Sequence, residues 1–419
     1  MRIDIYLTLP DSEQVKIGML DCGEISSAGR FESSFVYSKE WLGHKRFFPI
    51  DPESLSQSEE GHVYHATGFN PPLSVFQDSL PDDWGRRLLI ASHRLRGFGE
   101  QSLPNLLLKT GSDSLGALSF FAEGEKPEKK THKSGNITDL RSLMDAAEKF
   151  AASGGREIDP EMARLFLYGS SPGGARPKAL ITDGVDHWIA KFGNFSRDNG
   201  MDVAGIEHVS MVLARRAGLE VAKTKLEKFA NGNAVLVKRF DLSESGGRFH
   251  MVSLHTLCKE SPGRYILSYQ EVFERVCKHS SDPIVDASMF FRQMCFNAVI
   301  GNVDDHLKNF SMISGELSFR LSPAFDLLPD ITQKMSHTLM FLYHNFTSGQ
   351  ELVNLGRTWG VNNPGNIVRE VCDAVSGFSS VAVDYGVDLK NSGDMVKDMA
   401  DRALNFSKES ARADQRIRP

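Results

Sequence analysis

Cysteine is scarce in this chain of 419 residues: Cys22, Cys258, Cys277, Cys295 and Cys372 are scattered, odd in number and form no C-x-x-C pair. That argues against a disulfide framework and against a cysteine-based zinc site, and it reads as buried, reduced thiols. Basic charge is also in deficit. Forty-eight Lys and Arg against 54 Asp and Glu leave a formal net charge of −6, so the chain as a whole is not built to wrap nucleic acid. Long apolar runs are missing too. The best candidate for a membrane span, 289–300, is interrupted by Arg292 and Gln293 and falls short of the roughly 18 residues required. The first ten residues carry no basic segment followed by an apolar core, so no signal peptide is expected. A cytoplasmic protein is the expectation from these deficits.

What is present is ordinary globular material, 41% hydrophobic and 24% charged, enough for two or three folding units. Ile3, Ile5, Leu7 and Leu9 alternate, Pro10-Asp11-Ser12 turns, and Val15, Ile17 and Met19 alternate again, which predicts strand, turn, strand. Further strands are expected over 31–37 and 116–121. A helix is expected over 74–95, broken or restarted at Pro81, with Asp82 and Asp83 at its new N-terminus. The segment 123–136 is charged, contains Pro and Gly and lacks apolar periodicity, so it reads as a linker. The expected division is a domain over 1–130 and a second over 131–419, split into 131–241 and 242–419. Beyond the linker the pattern predicts a helix capped by Thr138, a hairpin across 180–192, a helix from Val203 to a stop at Gly218, and a hairpin across 226–240. Helices are then expected over 269–279, 287–300, 366–376 and 394–407, with a frayed tail from Ala411.

Four stations along the chain carry chemistry. Ser170-Ser171-Pro172-Gly173-Gly174-Ala175-Arg176-Pro177-Lys178 has two glycines that let backbone amides approach phosphate oxygens, with Arg176 and Lys178 adding positive charge. It matches neither standard phosphate loop, and alone it is an ordinary turn. Lys191 interrupts an apolar strand, and the next helix carries Glu207. A strand lysine paired with a helix glutamate is how protein kinases hold the α- and β-phosphates. In 301–310, Asp304 and Asn309 have the D-x-x-x-x-N spacing of a kinase catalytic loop, where the Asp accepts the substrate hydroxyl proton and the Asn binds Mg²⁺; Lys308 between them can offset γ-phosphate charge. Finally, a short apolar strand leads to Asp326, where a second Mg²⁺-binding aspartate belongs. Each signal has a bland reading as a turn, a solvated lysine or a polar loop. Their order is what points to phosphoryl transfer.

The same residues resemble the HipA family of bacterial serine/threonine kinase toxins along nearly the whole chain. The resemblance rests on G-G-A-R-P-K-A from Gly173, V-K-R-F-D at 237–241, N-V-D-D-H-L-K-N-F-S at 302–311 and L-S-P-A-F-D-L at 321–327. D-S-L-P-D-D-W-G at 78–85 and L-G-A-L-S-F at 115–120 support it in the N-terminal part. It implies an α+β, bilobal kinase-like fold behind a small N-terminal α+β domain, with a mainly helical C-terminal lobe. It implies ATP and Mg²⁺, with Asp304 as catalytic acceptor, Asn309 and Asp326 on the metal and Lys191 on the ATP phosphates. The segment from Lys238 to Asp241 would hold adenine and ribose, with Phe240 against the base and Asp241 near the sugar. Ser171, or the adjacent Ser170, matches a loop serine whose autophosphorylation switches the enzyme off. The implied target is an aminoacyl-tRNA synthetase or another translation component. The implied partner is a HipB-like helix-turn-helix antitoxin, which would supply any DNA contact.

There is no H-R-D, D-F-G or A-P-E of eukaryotic kinases. His306 is expected to brace the loop rather than act as general base, because phosphoryl transfer relies on positioning and metal electrostatics. Two rivals stay open: a small-molecule kinase on a related fold, and a non-catalytic pseudokinase acting as a binding module.

Overall fold

A computed structural model describes residues 1–415 apart from 27–29, 57, 67–73, 82, 128–134, 154–165, 167–175, 194–197, 199, 230–231, 259–266, 316–317 and 332–335. Asp82 and half of the expected linker, 128–134, lie outside the described residues. The chain forms two compact units: 1–190 with 239–257 and 313–318, and 191–238 with 258–312 and 319–419. Neither unit ends at the linker. The first gathers residues 1–190 together with two later pieces of chain.

The first unit contains an antiparallel sheet of order β4-β3-β2-β1-β5, with β1 Arg2–Thr8, β2 Gln14–Cys22, β3 Ser33–Tyr37, β4 Val63–Ala66 and β5 Leu118–Ala122. Alternation puts Ile3, Ile5 and Leu7 of β1 on one buried face, and Asp4 and Tyr6 on the other face are buried as well. The register slips between Ile5 and Tyr6, which pair with Gly18 and Lys16 and leave Ile17 of β2 as the extra residue. A Cβ on Gly18 would come within 2.5 Å of the Phe35 ring and the Val36 carbonyl, so β2 and β3 can approach only over glycine. Phe35 packs edge-on against Phe76, and Phe76 against Phe120. Asp78, the first residue of D-S-L-P-D-D-W-G, accepts hydrogen bonds from Ser253 N (2.9 Å), Ser253 Oγ (2.7 Å) and Thr256 Oγ1 (2.8 Å). This motif residue therefore ties the N-terminal region to a short helix, Leu254–Leu257. The expected 74–95 helix is two pieces, Ser74–Gln77 and Asp83–Ser92, on either side of Pro81. The cap after the linker is Asn136 rather than Thr138: its side chain accepts from Thr138 N, and Asp139 reaches back to its amide.

The second unit is mainly helical. The 226–240 hairpin is present as strands Thr224–Phe229 and Gly232–Lys238. The helices are Val203–Arg216, Tyr269–His279, Pro283–Ile300, Gly349–Thr358, Pro364–Ser376, Phe378–Asp384 and Gly393–Gln415. The last runs through Ala411 to Gln415, where a frayed tail was expected. Pro364–Ser376 packs on Gly393–Gln415 and on the long Pro283–Ile300. That long helix starts four residues earlier than its apolar pattern suggests, because Asp282 caps it and Pro283 fits the first turn. It ends at Gly301, whose φ of +80° is a left-handed C-terminal cap. Arg402, from the last helix, donates to the carbonyls of Val299 (2.9 Å) and Ile300 (3.2 Å), satisfying acceptors that a helix end leaves over. Among the described residues no helix is long and apolar enough to cross a membrane.

Candidate active site

The strand His187–Phe192 ends in the second unit with Lys191 and Phe192, both buried. The helix Val203–Arg216 is fixed at its start by Asp202, which accepts from Gly205 N (3.0 Å), and it turns Glu207 inward. Lys191 Nζ lies 2.6 Å from Glu207 Oε1 and 2.6 Å from Asp326 Oδ1. Burial works against the ammonium, but the two carboxylates more than offset it and raise its pKa, so Lys191 stays charged. The cluster thus sets the Lys191 ammonium between two carboxylates. The Lys191 and Glu207 side chains are 8% and 5% exposed, whereas Asp326 is 22% exposed, so the cluster opens on the Asp326 side. Asp326 sits at φ +58°, a left-handed conformation that aspartate tolerates better than most residues and that often marks a functional site.

The loop after Gly301 presents Asp304 outward, with a side chain 60% exposed. A short 3₁₀ turn, Leu307–Asn309, folds Asn309 back so that its Nδ2 donates to the Asp304 carbonyl (2.8 Å). Asn309 Oδ1 is buried without a hydrogen-bond donor. A buried acceptor left unmade costs about 1–3 kcal/mol unless something else fills it. An oxygen-seeking cation would do so. Mg²⁺ takes hard oxygen ligands, typically one or two carboxylates plus substrate phosphates, and the chemistry of a carboxamide oxygen on Asn309 and a partly exposed carboxylate on Asp326 fits that ion. Lys308 is exposed, and His306 Nε2 is 3.9 Å from Asp304 Oδ2.

The next residue, Asp305, is fully buried. It accepts from Tyr269 Oη (2.6 Å), from His337 Nδ1 (2.9 Å) and from Thr338 N (2.7 Å). Thr338 Oγ1 also donates to the Val303 carbonyl (3.0 Å). The sequence reading missed Asp305, Tyr269 and His337 and gave the brace to His306. The doubled aspartate before His306 was the available signal.

Several expected residues belong to the first unit. Lys178 is buried at the start of the strand Lys178–Thr182, Arg176 precedes it half-buried, and Phe240 is half-buried. Asp241 is buried, with Arg239 Nε on Oδ1 (2.9 Å), Arg239 Nη2 on Oδ2 (2.5 Å) and Gly116 N on Oδ2 (2.8 Å). Both its oxygens are engaged, so a sugar hydroxyl would have to compete with a closed ion pair. Lys238 is half-buried at the end of its strand in the second unit. Ser170, Ser171, Gly173, Gly174 and Ala175 lie outside the described residues.

Comparison with known proteins shows the family and the fold. A family model described as the HipA N-terminal domain matches residues 14–121, and one described as the HipA-like C-terminal domain matches 170–378. The chain belongs to the HipA family. The serine/threonine-protein kinase toxin HipA of Shewanella oneidensis is 24% identical over 350 residues, covering 75% of this chain and 74% of that one. Toxin YjjJ of Escherichia coli is 27% identical over 176 residues, 39% of either chain. A solved HipA of Shewanella oneidensis, in a complex with HipB and operator DNA, superposes with a TM-score of 0.71 over 99% of both chains at 16% identity. The HipA-family fold is thus an α+β, kinase-like one, and the chain joins a family of HipA-like toxin kinases.

Proposed function

We propose that this chain is a serine/threonine protein kinase that moves the γ-phosphoryl group of ATP onto a protein hydroxyl. The observation that carries the reading is the pairing of Lys191 with Glu207 and Asp326, together with the unfilled Asn309 oxygen in the loop that holds Asp304. Lys191, charged and fixed, holds the α- and β-phosphates. Asn309 and Asp326 hold Mg²⁺, which when bound offsets charge on the phosphate oxygens. Asp304 orients the acceptor hydroxyl in line and takes its proton as the new O–P bond forms and the bond to ADP breaks. Lys308 reaches from the same turn to the γ-phosphate. Arg176, Lys178, Lys238 and Phe240 complete the nucleotide set, and Asp241 acts by holding Arg239.

Ser171, or Ser170, is the self-modification site. A phosphate there adds roughly two negative charges to a loop meant to receive phosphate, which opposes ATP binding. The protein target is an aminoacyl-tRNA synthetase or another translation component, and the partner is a HipB-like antitoxin. Family membership supports both assignments.

Intact mass after incubation with Mg²⁺-ATP, beside the Asp304→Ala variant, tests the reading. The expected result is a phosphate gained by the wild type alone and mapped to Ser170 or Ser171. Absence of both transfer and ATP binding would overturn it in favour of a pseudokinase, and ATP binding with transfer only to a small molecule would replace the protein acceptor.

A further inference from the structure

We propose that Asp305 is a positioning residue that locks the catalytic loop to the segment around His337. The proposal rests on the kinase reading of Asp304 and Asn309. Asp304 and Asp305 are neighbours with opposite surroundings, one side chain 60% exposed and the other 0%. Their shared peptide unit makes the orientation of the first depend on the anchorage of the second.

That anchorage comes from two places. Tyr269 opens the helix Tyr269–His279, and its hydroxyl also accepts from Asn297 Nδ2 (3.2 Å) on the long helix. Asn297 Oδ1 in turn accepts from Asn302 Nδ2 (3.1 Å), the residue that leads into the loop. His337 and Thr338 come from the chain beyond Asp326, and they bind both oxygens of Asp305 and the Val303 carbonyl. Burial and the nearby Asp305 carboxylate push the Tyr269 hydroxyl well above its usual pKa, so it remains a donor. The contact with Asp305 likewise requires a proton on His337 Nδ1. The His337 ring stands edge-on to Phe341, 5.0 Å away, and Phe341 packs on Tyr269 at 5.1 Å, which holds the segment against the helix.

A buried polar network of this kind is a costly way to fill a core and a good way to fix one geometry. Here it fixes the backbone that carries Asp304, and Asn309 grips the Asp304 carbonyl from the other side. Misplacing reacting groups by 1 Å can cost about a hundredfold in rate. Loss of the His337 tie should therefore act on turnover and leave nucleotide binding to the Lys191 cluster.

The test compares His337→Leu, which removes the donor, with His337→Asn, whose amide can replace Nδ1–H. Three readouts are needed: kcat and KM for ATP, melting temperature, and amide hydrogen exchange across 302–309. His337→Leu should lower kcat about ten- to a hundredfold, with little change in KM, and should speed exchange in 302–309. His337→Asn should recover most of both. Unchanged exchange across 302–309 would overturn the proposal. So would a parallel loss of kcat, KM and melting temperature that His337→Asn does not repair, since that describes a merely structural residue. If the wild type transfers no phosphate, the kinase reading fails on its own, and the exchange data still decide whether His337 holds the loop.

Discussion

Two buried ion clusters in this molecule use similar groups to different ends. In the first unit, Arg239 meets Asp241 side-on with two hydrogen bonds, Gly116 N adds a third, and the two side chains are 2% and 4% exposed. Burial pushes the Asp241 carboxyl up, but Arg239 outweighs it and the net shift is downward. In the second unit, Lys191 serves two carboxylates, one of them partly exposed at a left-handed backbone position. The first cluster is saturated and closed. The second is open on the Asp326 side. Closure suits a clamp for the fold, and the open side of the second cluster is what the proposed kinase reading uses.

Breaking the closed cluster should give the largest effect on stability. Asp241→Asn leaves Arg239 buried without its counter-charge and is expected to cost about 3–5 kcal/mol, read by denaturant unfolding, while KM for ATP in the folded protein stays unchanged. A raised KM would return Asp241 to the sugar. Asp326→Asn removes one charge from the open cluster and keeps a residue that tolerates a positive φ. Its expected signature is reversed: turnover falls about 10²–10³-fold, and the melting temperature changes less than in Asp241→Asn. The smallest effect sharpens the comparison from beside the open cluster. His208, next to Glu207, is buried with both ring nitrogens unpartnered and its pKa lowered by desolvation to about 4. Unfolding restores an ordinary value near 6.5, so the unfolded chain binds the extra proton between these limits. Stability should fall as pH drops from 6.5 towards 4. His208→Phe, which can keep the edge-on contact with Tyr385, should flatten that part of a melting-temperature profile. His250, also lowered to about 4, contributes in the same direction and remains in the variant.

What could be read in advance was local. One lysine in an apolar strand followed by a glutamate on the next helix marks a pair that the fold then makes. Alternation in the first twenty residues marks β1 and β2. What could not be read depends on partners far apart in sequence. Nothing near Asp241 in sequence announces that Gly116, 125 residues away, donates to its carboxylate. Asp305 looks like a spare acid beside Asp304 until donors 36 residues before it and 33 after it converge. The helices Gly349–Thr358 and Phe378–Asp384 were missed for a related reason. The first contains Gly356, where Phe291 and Pro364 pack so close that only glycine leaves room, and the second is short and contains two valines.

The cap that Arg402 places on the long helix has a consequence for timing. Its guanidinium belongs 103 residues downstream of the Val299 carbonyl that it satisfies. A ribosome therefore releases the whole of 302–309 well before it adds the residue that finishes the helix leading into that loop. The nascent chain thus carries 302–309 early and the cap of the preceding helix late, and that helix end is finished only after Arg402 has emerged.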